Sequence, residues 1–195
     1  MAAIVYIHGF LSSPGSVKAE QTRAWLREQR PDVRYYCPYL SPYPEQTQTQ
    51  LLDLLATIDD PDIGLIGSSL GGFWSTWLVE KLGLRAVLIN PSVSPHLLIE
   101  RVKDIPQHNY HTRDSYVMTS AHAAQFRALE PEVLQYPQHY WLLAQEGDET
   151  LDYRQAVRRY RGCRQTIEPG GDHAFQGYVD KLPAIVEFLL PPVAG

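Results

Sequence analysis

Four short apolar runs, at residues 4–7, 63–66, 86–89 and 140–144, are not interrupted by polar positions. Continuous rather than alternating hydrophobicity predicts strands covered on both faces, as in a parallel sheet between two helical layers. Weaker patterns at 33–36 and 164–167 bring the expected strands to six. Between the runs the period changes. Leu51, Leu54, Leu55 and Ile58 recur at helical spacing with Asp53 turned away, which predicts a helix near 46–58. Phe73, Trp74, Trp77, Leu78 and Leu82 do the same over 70–82, and Leu182, Ile185, Val186 and Leu189 near the end. Pro183 is expected in the first turn of that last helix, where its missing N–H costs nothing. Strands alternating with helices predict an α/β fold with right-handed crossovers.

Residues 91–138 break the alternation. They hold no good strand pattern, and His96, His108, His111 and His122 gather there, with His139 just beyond. An excursion of this length between two strands predicts a cap or lid inserted into a single domain spanning 1–195. With 195 residues, 44% of them hydrophobic, and 12 Tyr, 4 Trp and 5 Phe, the chain is too apolar for disorder and sized for one core. Seventeen Lys and Arg against 22 Asp and Glu, a net charge of -5 without any basic run, exclude a nucleic-acid footprint. The two cysteines, Cys37 and Cys163, form neither a disulfide framework nor a zinc pattern, and no stretch is apolar enough to span a membrane. Without a secretion signal pattern, the expected location is the cytoplasm.

Chemistry enters at Gly67-Ser68-Ser69-Leu70-Gly71, a G-x-S-x-G sequence between a predicted strand and a predicted helix. That setting fits a nucleophile elbow, a strained turn that presents Ser69 beside the Leu70 amide. The same residues also fit a helix N-cap, in which Ser68 or Ser69 satisfies unpaired amides. A nucleophilic serine needs a base and an orienting carboxylate. Asp148 and His173 fall in the loops after the fifth and sixth strands, giving the chain order Ser, Asp, His. Glu146 and Glu149 are alternatives for the acid, with Asp148 preferred because it follows Gly147 at the turn. Asp172 is expected to structure its own loop, and His8, closing the first strand, to be structural. After that strand, Gly9 lets the Phe10 amide face the elbow as a second oxyanion donor, the Leu70 amide being the first. Phe10, Tyr39 and Phe175, with Tyr110 and Tyr116, are the aromatic candidates for an acyl pocket.

With these residues in place, the chain resembles the α/β-hydrolase superfamily and, within it, the small bacterial YqiA-type esterases. The likeness covers residues 4–190. It rests on Tyr6-Ile7-His8-Gly9-Phe10 with Ser12-Ser13-Pro14, on Gly67-Ser68-Ser69-Leu70-Gly71-Gly72 and on Asn90-Pro91. It rests further on Gly147-Asp148-Glu149 with the stretch from Leu151 to Ala156, and on Gly170-Gly171 with His173-Ala174-Phe175. The resemblance implies a compact α/β-hydrolase fold of about six mostly parallel strands flanked by helices, without the first two strands of larger relatives. It also implies esterase activity on simple acyl esters, with Ser69, Asp148 and His173 as the matching triad. Leu11 and Asp172 depart from it, since asparagine is expected at both positions.

The expected function is therefore a serine hydrolase of small acyl esters or thioesters, with a small-molecule substrate and no cofactor. A catalytically silent scaffold that binds a ligand or protein partner is the alternative, because fold alone does not decide function. Metal binding by His108 and His111, near Asp104, Asp114 and His122, would need a helix to align the two imidazoles. The segment lacks that periodicity, so a polar lid surface is the better reading and no metal is expected.

Overall fold

Successive side chains of a strand face opposite ways, so a strand without a polar face has to be covered twice. The computed structural model of the protein, which describes residues 1–190, has this arrangement. In β1 (Ala2–Ile7), Ala3, Val5 and Ile7 enter one core while Ile4 and Tyr6 enter the other. The strands β2 (Val33–Tyr36), β3 (Asp62–Ser68) and β4 (Arg85–Ile89) join the same sheet. A separate antiparallel hairpin of β5 (Pro106–His108) and β6 (Ser115–Val117) follows, and then β7 (Tyr140–Gln145) and β8 (Arg164–Glu168) complete the sheet. Its order is β2-β1-β3-β4-β7-β8, with every neighbouring pair parallel.

The helices cover both faces. One layer is made of α1 (Val17–Gln29) and α7 (Tyr178–Leu189), which bury Ala19, Leu26, Leu182, Ile185, Val186 and Leu189. The opposite core receives α2 (Pro44–Ala56) and α3 (Leu70–Leu82). The excursion adds α4 (Pro95–Val102) and α5 (Ser120–Leu129), and α6 (Tyr153–Arg159) follows β7. Far from standing apart, α5 packs Phe126 into the core, its ring centroid 5.5 Å from that of Phe73 and 5.6 Å from that of Trp74. Residues 191–195, included in the expected single domain, lie outside the described residues.

After β1 the chain passes to β2 on one side and then crosses to β3 on the other. In a parallel sheet, the strand ends where the order reverses diverge and leave a crevice. Here that crevice lies between the C-terminal ends of β1 and β3, which are level, Ile7 pairing with Gly67. It sits directly below the start of α3.

Three expectations need correction. Pro183 lies inside α7, not in its first turn, because the helix begins at Gly177 (φ 71°) and Tyr178, ahead of the apolar stripe. The ring removes one interior hydrogen bond of that helix. The stretch 91–138 does contain strands, β5 and β6, but each is three residues long with two exposed, so no apolar run marks them. It also holds two helices. Among the described residues, no helix is long and apolar enough to cross a membrane.

Among the glycines, the closest approach is where α3 meets β1: a Cβ at Gly71 would collide with the carbonyl oxygen of Ile7. Alanine favours a helix over glycine by about 1 kcal/mol, yet overpacking costs about 1–3 kcal/mol and at times more. Gly71→Ala is therefore expected to destabilise the protein by about 3 kcal/mol, near the upper end of that range. Urea unfolding checks this, and a variant as stable as the parent would contradict the packing.

Candidate active site

Between β3 and α3 the backbone of Ser69 adopts φ 55° and ψ -120°. Non-glycine residues rarely take up such a conformation, which costs on the order of 1–3 kcal/mol and persists only where the surroundings enforce it. Here they do. The Ser69 amide donates to the Ile89 carbonyl (3.0 Å), and its own carbonyl accepts from Gly72 (2.9 Å) and Ser92 (3.0 Å). The Ser69 side chain makes no capping hydrogen bond to α3, which removes the N-cap reading for this residue. Its Oγ instead lies 3.1 Å from Nε2 of His173.

The other ring nitrogen of His173, Nδ1, lies 2.9 and 3.0 Å from the two carboxylate oxygens of Asp148. An acceptor carboxylate on Nδ1 requires a proton there and leaves Nε2 free to accept from the serine hydroxyl. The Asp148 side chain is 1% exposed and that of His173 24%. Oδ1 of Asp148 also accepts from the amides of Thr150 (2.9 Å) and Leu151 (2.8 Å), so local turn geometry aims the carboxylate. Of the three acids considered from sequence, Asp148 is the one that reaches the imidazole. Glu149 is exposed and accepts from the backbone amide of His173 (3.0 Å), whereas Glu146 accepts from the Tyr153 hydroxyl (3.1 Å). Amide donors of its own backbone and of His173 hold Glu149 below the usual carboxylate range. Asp172 accepts from the side chain of Gln176, and its Oδ1 is buried without a partner.

The loop after β1 forms the facing wall. A Cβ at Gly9 would lie 3.2 Å from Cβ of Ser69, so the chain passes close beside the serine. Leu70 opens α3, and a first helical residue has an amide that the helix itself cannot satisfy. His8 is structural: Nδ1 donates to the Gly9 carbonyl (2.9 Å) and Nε2 accepts from the Leu40 amide (3.2 Å). Leu11, where asparagine is expected, has φ 57°, a region asparagine tolerates better than leucine. The loop is bonded to the β5–β6 hairpin, because Tyr110 donates from its amide to Leu11 (2.8 Å) and Asn109 from its side chain to Ser12 (2.9 Å).

An open cleft of about 320 Å³ adjoins Ser69 and His173, lined also by Tyr6, Phe10, Lys18, Tyr110 and Glu149. Of the five aromatics expected to bind substrate, Phe10 and Tyr110 line it. Tyr39 is bonded through its hydroxyl to Asp114 (2.7 Å) and Tyr116 (2.9 Å), tying the segment after β2 to the hairpin. Phe175 is 2% exposed and belongs to the core, because its backbone (φ 63°) turns the ring in beside Tyr178. Lys18 has no local sequence signal. It is brought to the cleft by α1 and donates to the Ala174 carbonyl (2.8 Å), and burial lowers the pKa of its amine. The histidines of the excursion do not share a helix: His108 is in β5, His111 in the turn after it, and His122 caps α5. Among the described residues, no group of three or more His, Cys, Asp or Glu could hold a metal ion.

Known proteins match this chain both in sequence and in fold. Residues 3–190 fit the model of UPF0227, described as an uncharacterised protein family. The chain belongs to UPF0227. Among UPF0227 proteins, one from Shewanella sp. (strain MR-4) is 32% identical over 109 residues, 53% of this chain and 59% of the relative. Another, from Shewanella loihica (strain ATCC BAA-1088 / PV-4), is 35% identical over 97 residues, 47% of this chain and 52% of the relative. The match thus spans little more than half the length of these UPF0227 relatives. In structure, the chain is similar to mouse alpha/beta hydrolase domain-containing protein 10 (TM-score 0.72, 14% identity, 98% of this chain and 90% of that one). It is also similar to Est1E from Butyrivibrio proteoclasticus, solved with ferulic acid (TM-score 0.70, 14% identity, 97% and 88%). A structure from Agrobacterium vitis S4 gives a TM-score of 0.78 at 17% identity, over 96% and 88% of the two chains. Likeness at such identities establishes the fold: this UPF0227 protein is an α/β hydrolase in architecture.

Burial lowers the pKa of His8 from its ordinary 6.5, with the Gly9 carbonyl partly opposing. The folded protein then keeps this ring neutral at a pH where the unfolded chain takes up a proton. The stability it contributes is full above about pH 6.5, falls as the pH drops below that, and levels off below the lowered folded value. Urea midpoints at pH 7.5 and 5.5 should differ less in His8→Gln than in the parent, and an unchanged difference would refute this assignment.

Proposed function

We propose that the protein is a serine hydrolase that cleaves small carboxylic esters, and thioesters by the same route, through an acyl-enzyme. The observation that carries this reading is the hydrogen-bonded line from the buried Asp148 through His173 to Ser69. A serine hydroxyl is inert at neutral pH without a base, and the imidazole tautomer fixed by Asp148 presents that base at 3.1 Å.

Each step has its group. Oγ of Ser69 attacks the acyl carbonyl carbon while Nε2 of His173 takes its proton. The oxyanion that develops is met by the amides of Phe10 and Leu70, each such donor contributing about 10²–10³-fold. When the tetrahedral species collapses, the bond to the leaving group breaks and His173 returns the proton to it. Water, deprotonated by the same nitrogen, then attacks the acyl-serine and releases the acid and the free hydroxyl. Asp148 stays ionised throughout and stabilises the imidazolium.

The cleft supports acyl groups of modest size, with Phe10 and Tyr110 as its aromatic walls. Est1E, whose structure contains ferulic acid, makes aromatic acyl esters a natural class to test beside short aliphatic ones. The free Cys37 and Cys163 fit action in a reducing compartment, the cytoplasm.

A fluorophosphonate probe should label the parent protein on Ser69, and Ser69→Ala should abolish labelling. A folded parent that remains unlabelled would support the silent-scaffold reading. Asp148→Asn should lower kcat on aryl esters on the order of 10⁴-fold by favouring the wrong tautomer. Glu149→Gln, which keeps an acceptor for the His173 amide, should stay within about threefold; the reverse ranking of the two variants would move the acid role to Glu149.

A further inference from the structure

The stretch that carries His173, residues 169–177, forms neither helix nor strand, and its Gly170 and Gly171 both adopt positive φ (68° and 72°). Glycine-rich exposed backbone of this kind does not hold a side chain in place by itself. Yet the imidazole has to stay within hydrogen-bond reach of both Ser69 and Asp148. Two buried amide side chains, one just after β4 and one at the end of β7, bind this stretch.

Asn90, 3% exposed, follows β4 directly and has φ 41°. Its backbone amide continues the β4–β7 ladder by donating to Leu143 (2.9 Å), and its side-chain oxygen accepts from the amide of Gln145 (3.0 Å). Its side-chain nitrogen donates to the carbonyls of Asp172 (2.9 Å) and His173 (3.2 Å). Gln145, also 3% exposed, ends β7. Its side-chain oxygen accepts from the amides of Gln176 (2.8 Å) and Asp172 (3.3 Å). Its nitrogen donates to the Gln176 carbonyl (2.9 Å) and to the Glu168 carboxylate (2.9 Å). Every donor of both amides is used. A Cβ at Gly171 would collide with the Gln145 side chain, so the loop lies directly against it.

We propose that Asn90 and Gln145 are positioning residues for the hydrolytic reaction: together they clamp the backbone on either side of His173 to the ends of β4 and β7, fixing the imidazole between Ser69 and Asp148. The clamp rests on the hydrolase reading above. A neutral amide suits both places. A carboxylate at 90 would face two carbonyl oxygens, and one at 145 would face the Gln176 carbonyl and Glu168, so the donors are as necessary as the acceptors.

The test uses Asn90→Ala and Gln145→Met in the full chain, with Thr76→Val as a control that removes a buried hydrogen bond to Tyr160 elsewhere. A misplacement of about 1 Å can cost about 10²-fold. Both clamp variants should lose between about 10-fold and 10²-fold in kcat while KM stays within about twofold. The low-field proton resonance of Nδ1 of His173, set by its bond to Asp148, should broaden or vanish in both. Thr76→Val should lower the melting temperature and leave kcat and the resonance intact. Should Asn90→Ala fail to fold, Gln145→Met and Gln145→Glu carry the comparison, and both should show the loss. Folded clamp variants with parental kcat and an unchanged resonance overturn the proposal. If the parent itself resists fluorophosphonate, the hydrolase reading fails, whereas the resonance still judges whether the clamp orients the ring.

Discussion

The closeness of α3 to the end of β1 is the constraint on which the rest of the molecule depends. At Gly71 the helix backbone touches the Ile7 carbonyl with no room for a methyl group. Only that approach allows the chain to leave β3, turn within one residue and start a helix. The strain this puts on Ser69 is balanced by backbone hydrogen bonds to Ile89, Gly72 and Ser92. Two cores packed on opposite faces of the sheet hold these strands rigidly enough to enforce the turn. The hydroxyl therefore stands above the crevice where the strand order reverses because the fold leaves it no other place.

The remaining groups reach the same rim by different physical means. Asp148 is aimed by the turn that follows it, through the Thr150 and Leu151 amides, and is shielded from water. His173 is on a loop with little structure of its own and depends on side chains from two strand ends. Only Ser69 is held mainly by backbone geometry. Substitutions around Ser69 should thus register first in stability, and those around His173 first in the placement of its ring.

What could be read from the sequence follows the range of the interactions involved. The central strands, the helix at 70–82 and the sharp turn between β3 and α3 are specified by neighbours a few residues apart, and the structure places them where the pattern does. Helix α1 buries Ala19, Thr22 and Leu26, a face too small and too polar to give a hydrophobic stripe. The hairpin of β5 and β6 is too short and too exposed to leave one. Asn90 and Gln145 act on residues 172–176 across long stretches of chain, so nothing adjacent to them in sequence marks their contacts. Phe175 misled for a related reason: it is beside the histidine in sequence, but the backbone turn sends its ring into the core.

The bonds from Tyr110 and Asn109 to Leu11 and Ser12 join the hairpin to the stretch that follows β1. Any swing of that hairpin away from the sheet has to break them or pull Leu11 and Ser12 along, disturbing the neighbouring Phe10 amide. The position of the hairpin and the set of the Phe10 amide are therefore mechanically linked.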